Sequence, residues 1–400
     1  MYNIRKLSDD LLYIGCSDRR LSLFESAYPI PNGISYNSYL LKDQKTVLFD
    51  TVDKACSSQF FENLEAGLDG RDLDYLVIHH MEPDHCALLE GVITIHPNTK
   101  IVCTAKTVAL IKQFFDFDID ARVNIVKEGD ILNTGKHELI FTPAPMVHWP
   151  EVMVTYDKTD KALYSADAFG SFGAINGNLT DEGVNFECDY LGEARRYYTN
   201  IVGKYGMQVQ MLLKKVANYD IQTIYPLHGL IIKDNIKNFI EKYDKWSRYE
   251  AEENSVLIAY SSVYGGTENA VNILTGILAD KGIKGIKMYD VSQINSSYVL
   301  ADTFKYSHIV FATTTYNNGI FESMEHLLHD ISAHNLQNRK IVLIQNGSWA
   351  PACSGQMKAI LEKLPGTEII DDSLCIKSTL KEYQLDELEC LAEKIKNSLL

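Results

Sequence analysis

No two of the eight cysteines, Cys16, Cys56, Cys86, Cys103, Cys188, Cys353, Cys375 and Cys390, stand close enough to make a CxxC pair. That excludes a CxxC-held iron site, a zinc knuckle and a thioredoxin motif within the chain, and scattered reduced thiols in a cytosolic protein are the expectation. Long apolar runs are missing too. No window reaches about eighteen apolar residues, and the opening MYNIRKLSDDLLYIG puts charge where a signal peptide would carry its apolar core, so a cytoplasmic protein is expected. Basic residues are outnumbered by acidic ones, 38 to 53, and the net charge of −15 leaves no broad basic face to neutralise phosphates. Nucleic acid is therefore excluded as a partner, while small molecules or another protein suit an acidic surface. There is no internal repeat, no low-complexity segment, and no GxGxxG followed by an acidic residue, so direct NAD binding is not expected.

What is present is the composition of an ordinary globular protein, 46% hydrophobic and 23% charged. A chain of 400 residues exceeds what one hydrophobic core usually spans, so two domains are expected, divided near residue 250 into 1–250 and 251–400. Up to about residue 230 the pattern is of short strands, NSYLL, KTVLFDT, LDYLVIHH, KIVCTA, VNIVKEGD, HELIFTPAP, EVMVTYD and ALYSAD, interrupted by helical stretches such as AKTVALIKQFFDF. This is an α/β or α+β layer arrangement. A helical segment, KDNIKNFIEKYDKWSRY, leads into the charged, linker-like EAEENS. Beyond it buried strands alternate with helices: SVLIAYSS, GIKMYDV, HIVFATTTY, KIVLIQNG and TEIIDDSLCIK, with TENAVNILTGILADKG and ESMEHLLHDISAHN between them. Such alternation describes an open, parallel, doubly wound sheet.

The stretch VIHHMEPDHCALLEG follows a buried strand, and ligands of such sheets gather on loops beyond strand carboxyl ends. His80, Glu82, Asp84 and His85 can converge from a loop as they could not from a straight strand or helix, and this density points to a metal site. His148, Asp167 and His228 also stand just after strands. Taken singly, the two histidines fit core residues held by a backbone carbonyl and the aspartate fits a helix cap.

In the second half, LIAYSSVYGGTENAV sets Ser262, Val263, Tyr264, Gly265, Gly266 and Thr267 between a buried strand and a helix. Such a turn offers amides, hydroxyls and the positive helix end to a phosphate, although an ordinary capped turn would have the same composition. Two further strand ends, ATTTYNNG with Thr314, Thr315, Tyr316, Asn317, Asn318 and Gly319, and QNGSWAPACSG with Asn346, Gly347, Ser348, Trp349 and Ala350, complete the candidate set.

The series His80-x-Glu82-x-Asp84-His85, His148, Asp167, His228, followed by the second domain, resembles the flavodiiron proteins, also called A-type flavoproteins, over nearly the whole chain. The resemblance implies a metallo-β-lactamase-like αββα sandwich followed by a flavodoxin-like, doubly wound, parallel five-stranded sheet. It implies two non-haem iron ions per chain, one held by His80, Glu82 and His148, the other by Asp84, His85 and His228, with Asp167 bridging and His79 a neighbour. In hydrolytic zinc relatives the pattern is HxHxDH; Glu82 in place of the second histidine makes the site harder and more anionic, which suits iron. The phosphate turn resembles that of flavodoxins, which implies FMN, with Tyr316 and Trp349 against its ring. The implied reaction is reduction of O₂ to water with electrons relayed by FMN, and the alternative is reduction of NO to N₂O. The implied partners are rubredoxin or another reductase as donor, and a second copy in a head-to-tail homodimer or dimer of dimers. Some family members carry a second-shell histidine near the N-terminus, whereas this chain has none before His79 and reads LSLFESAYPIPNGISYNSYLL there. A metallohydrolase would leave the second domain unexplained, and a pure electron carrier, with the first domain only a scaffold, predicts that a His148→Ala change leaves function intact.

Overall fold

The computed structural model describes residues 1–399. These form two compact units, residues 1–198 with 207–244, and residues 199–206 with 245–400.

The first unit is built on two sheets. In the larger the strands lie in the order Arg5–Lys6, Leu11–Tyr13, Tyr39–Lys42, Thr46–Phe49, Tyr75–Val77, Lys100–Cys103 and Val123–Ile125. Pairing is antiparallel up to Thr46–Phe49 and parallel from there on. Thr46–Phe49 is buried along its whole length, as a strand covered on both faces must be. The second sheet runs Ile131–Asn133, Glu138–Pro143, Met153–Asp157, Ala162–Tyr164 and Thr223–Tyr225, an antiparallel meander closed by one parallel pairing. Inward residues of both sheets share one core that includes Tyr39, Leu41, Phe49, Val77, Phe141, Tyr164 and Tyr225. Phe49 of one sheet stacks on Tyr164 of the other with ring centroids 3.9 Å apart. Helix Ser57–Leu68 packs on strand Tyr39–Lys42, so the layers are those of the expected sandwich.

The strands before residue 37 are absent from the sequence-based expectation. They are two or three residues long, Leu11–Tyr13, Cys16–Asp18 and Ile34–Tyr36 among them, too short to show a period of two. An ion-pair clasp ties this region to the second sheet: buried His137 donates from Nδ1 to Asp157 at 2.6 Å and from Nε2 to Asp10 at 3.0 Å, and Lys136 reaches Asp10 at 2.7 Å.

In the second unit five parallel strands lie in the order Lys287–Asp290, Glu253–Tyr260, Tyr306–Tyr316, Lys340–Asn346 and Glu368–Asp371, which by chain order is 2-1-3-4-5, the flavodoxin-like arrangement. Helices Gly266–Asp280, Ser296–Lys305, Glu322–Ala333, Cys353–Leu361 and Leu385–Leu399 connect and follow them. The run TEIIDDSLCIK, expected as one strand, is two, Glu368–Asp371 and Cys375–Ile376. Between them Asp371 accepts both the amide and the hydroxyl of Ser373, at 2.8 and 2.6 Å, and this local turn interrupts the ladder. Among the described residues no helix is long and apolar enough to cross a membrane.

Candidate metal centre and nucleotide-binding loops

The loop after Tyr75–Val77 is shaped by Pro83. Glu82 is extended, φ −64° and ψ 138°, and caps a single helical turn, Pro83–Cys86, whose first position suits the fixed φ of proline. His80 and Glu82, two apart on extended backbone, point to one place, while the turn throws Asp84 and His85 to another. His79, just before them in the chain, is spent elsewhere: its Nδ1 meets Asp50 at 2.5 Å and its Nε2 meets Thr155 at 2.7 Å.

Strands Glu138–Pro143, Ala162–Tyr164 and Thr223–Tyr225 run in one direction, so the loops bearing His148, Asp167 and His228 open at one edge of their sheet. The seven predicted side chains come together there in two groups, His80, Glu82, His148 and Asp167, and Asp84, His85 and His228, with the ligand atoms of each group within 4.8 Å of one another. In the first, Glu82 Oε2 is 3.1 Å from His80 Nε2 and 3.0 Å from His148 Nε2. In the second, Asp84 Oδ2 is 3.4 Å from His85 Nε2 and 3.3 Å from His228 Nε2, and those two nitrogens are 3.0 Å apart. Asp167 addresses both. Its Oδ2 is 3.3 Å from His80 and from His148, its Oδ1 3.3 Å from His85 and 3.6 Å from His228.

Both oxygens of Asp84 and both of Asp167 are buried without a hydrogen-bond donor. Buried carboxylates in that state are costly unless a cation meets them. The titration of the site tells the same story. Burial alone would lower the histidines, yet the Asp167 and Glu82 carboxylates push His148 up to about 9, and Asp84 and Asp167 push His85 up to about 8. His80 is raised as well, and Asp167, despite its burial, is held well below the usual carboxylate range by the surrounding imidazoles. The pocket is built to stabilise positive charge, and nitrogen and carboxylate donors in two adjacent sets suit two transition-metal ions.

Residues that no motif in the chain marks hold these donors in place. Glu151 accepts from His80 Nδ1 at 2.8 Å, the Ser35 carbonyl accepts from His228 Nδ1 at 2.7 Å, and Thr51 donates from both its amide and its hydroxyl to the His85 carbonyl. Each selects the tautomer that leaves Nε2 facing the centre, or holds the ring's backbone in place. Aromatic rings wall the site. Trp149 stands edge-on to His80 at 5.1 Å, and Phe24, Tyr36 and Tyr197 surround His228 at 5.5, 5.7 and 5.4 Å. Phe24 belongs to the stretch that lacks histidine; its neighbour Glu25, exposed as a whole and in the left-handed region at φ 50°, has its carboxyl beside Glu82, and desolvation of that carboxyl together with the Glu82 charge pushes it up to about 8.

In the second unit the loop after Glu253–Tyr260 carries Gly265 at φ 84° as the cap of helix Gly266–Asp280. A Cβ on Gly266 would lie 2.1 Å from the Ser378 carbonyl oxygen, so only glycine fits between this turn and the segment at Ser378. Thr267 is tied to Thr314 at 3.1 Å and to Asn346 at 3.2 Å, and Asn346 also takes the Ser378 amide at 3.0 Å. Thr315 accepts from the amides of Ala352 and Cys353, at 2.9 and 3.2 Å. Asn317 and Asn318, at φ 46° and 60°, form the tight turn that pairs Thr315 with Ile320. Three predicted loops thus meet at the strand carboxyl ends, with Ser378 as an addition. Around them Tyr264, Trp349 and Tyr316 are 99%, 91% and 50% exposed, large rings that a flat ligand would cover.

Residues 34–229 match the family model described as ODP family beta lactamase. The chain is 29% identical over 392 residues to the anaerobic nitric oxide reductase flavorubredoxin of Escherichia coli O1:K1, covering 97% of this chain and 80% of that one. Its structure superposes on the rubredoxin oxygen:oxidoreductase of Desulfovibrio gigas with a TM-score of 0.92 and 26% identity, over 99% of this chain and 98% of that one. The flavodiiron protein of Giardia intestinalis has the same fold, with a TM-score of 0.92 and 23% identity over 99% and 98% of the two chains. The chain belongs to the flavodiiron proteins. As in that family's two-part design, the metallo-β-lactamase-like and flavodoxin-like units each carry one of the two clusters described above.

Proposed function

We propose that this flavodiiron protein reduces O₂ to water at a non-haem diiron centre with electrons relayed through FMN, the reduction of NO to N₂O at the same centre being the second reading. The observation that carries the proposal is the carboxylate of Asp167, which sets one oxygen against each of two histidine–carboxylate groups. That arrangement serves a pair of ions and has no use with a single one. The oxidoreductase character is that of the relatives, one named for nitric oxide and one for oxygen.

In this reading His80, Glu82 and His148 hold one iron, Asp84, His85 and His228 the other, and Asp167 bridges them. Bound, the iron pair would supply gas binding and one-electron chemistry that no side chain offers, and FMN the step from electron pairs to single electrons. The chain supplies the rest. Glu151 and Ser35 aim His80 and His228, Glu82 brings a hard anionic donor, and Phe24, Tyr36, Trp149 and Tyr197 keep bulk water from the reacting gas. In the second unit the amides and hydroxyls of Ser262–Thr267 would take the FMN phosphate at a helix N-terminus, Thr314–Gly319 and Asn346–Ala350 the ring, with Tyr316 and Trp349 against its faces. Rubredoxin or another reductase would supply electrons, and a head-to-tail homodimer or a dimer of dimers would bring the flavin of one copy to the irons of another.

The test is gas consumption by the iron- and FMN-loaded protein, reduced anaerobically, with O₂ and NO run in parallel under one saturating donor. Faster loss of O₂ without accumulating H₂O₂ is expected. Faster loss of NO reverses the order of the two gases, and loss of neither refutes the diiron reading.

A further inference from the structure

A cavity of about 830 Å³ in the first unit is lined by Arg5, Tyr13, Cys16, Arg19, Arg20 and Cys56, among other residues. Cys16 begins strand Cys16–Asp18, Cys56 ends the 3₁₀ turn Lys54–Cys56, and the two elements pack on each other. Both thiols are free and nearly buried, 9% and 8% exposed, and both line this one cavity. Two nearly buried thiols on adjoining elements of one cavity wall, which Arg5, Arg19 and Arg20 also line, differ in kind from the exposed Cys188 and Cys390.

We propose that Cys16 and Cys56 form a redox-responsive dithiol that closes to a disulfide when a peroxide enters this cavity. Cys56 is the attacking sulfur: it lines the cavity together with Arg20, and the neighbouring Cys16 thiol and the Arg20 charge hold it below the ordinary thiol range, whereas Cys56 and burial push Cys16 up. The Cys56 thiolate attacks one peroxide oxygen, the O–O bond breaks, and hydroxide leaves to become water, giving a sulfenic acid. Cys16 then displaces the sulfenic hydroxyl as a second water while the S–S bond forms. Two thiols are oxidised by two electrons and one hydrogen peroxide is reduced to two waters. The bond would fasten a strand whose partner backs the metal site: Cys16 pairs with Tyr36, and the preceding Ser35 carbonyl holds His228.

The experiment uses the full-length protein, loaded with iron and FMN, reduced with dithiothreitol and desalted anaerobically. It is exposed to a small excess of hydrogen peroxide, its remaining thiols are alkylated in denaturant, and it is digested without reduction. A peptide pair joined through Cys16 and Cys56, reversed by dithiothreitol, is the expected result. In Cys16→Ser, Cys56 should instead proceed to sulfinic acid. Full alkylation of both thiols after peroxide, with oxidation confined to Cys188 and Cys390, overturns the proposal. The readout in the unaltered protein is independent of gas reduction and of whether a variant folds.

Discussion

Glu151 and His80 are joined by one hydrogen bond of 2.8 Å between Oε1 and Nδ1, and the same carboxylate oxygen takes the Met81 amide at 2.8 Å. Glu151 therefore fixes both the ring of the first residue in the metal loop and the backbone amide that follows it. Glu151→Ala should weaken metal at the His80 group by roughly 10- to 100-fold. Iron per chain after competition with a chelator measures this, and retention equal to that of the parent would show that His80 is oriented without Glu151.

Asp167→Asn keeps the shape of the bridge and removes its charge and one acceptor. Iron per chain should fall to about half or below, and gas reduction by at least about 100-fold, as expected when two ions lose their shared ligand. Electron paramagnetic resonance of the oxidised protein reports on the bridge directly. An unchanged, magnetically coupled pair in the variant would remove Asp167 from the bridging role.

Gly266→Ala forces the phosphate turn away from Ser378, since the Cβ would sit 2.1 Å from a backbone oxygen. FMN retention through gel filtration should drop about tenfold or more, because a shift of the turn misaligns several donors at once. Trp349→Ala leaves the turn intact and removes only ring contact, which is worth about 0.5–1.5 kcal/mol, or roughly 2- to 12-fold in affinity. Equal flavin content in both variants would place the cofactor elsewhere.

His137 gives a pH signature unconnected with the metals. Burial would lower it, but the carboxylates of Asp157 and Asp10 win and raise it to about 9. A group raised in the folded state stabilises fully below its unfolded value of about 6.5 and loses that contribution as pH rises through about 9. His137→Gln should cost roughly 1–3 kcal/mol at pH 7 and much less at pH 10. Denaturant midpoints of parent and variant across that range test it; a gap that does not narrow would mean the clasp is not ionic.

The second unit was legible in outline because strands such as Glu253–Tyr260 and Tyr306–Tyr316 are long, apolar and separated by helices, so each period shows over many residues. The metal loop was legible for a different reason: four ligand-type side chains within six positions are scarce outside metal sites. His148, Asp167 and His228 needed the family pattern, since one residue after a strand carries little information. Glu151, Ser35, Asp50 and Ser378 were beyond reach. Their roles depend on which loops pack together, and nothing in their own neighbours in sequence records that. Glu25 is intermediate, for the sequence marked its stretch by the histidine it lacks and the structure shows what stands there.

Because one carboxylate belongs to both groups of ligands, the occupants proposed for them would exchange as a pair. An ion lost from one side changes the charge left on the oxygen that the other side keeps, and zinc captured in one group would alter the potential of an iron in its neighbour. A preparation holding one zinc and one iron per chain would then be as inactive as one holding no iron, and the metal content that matters is the share of chains with both positions filled alike.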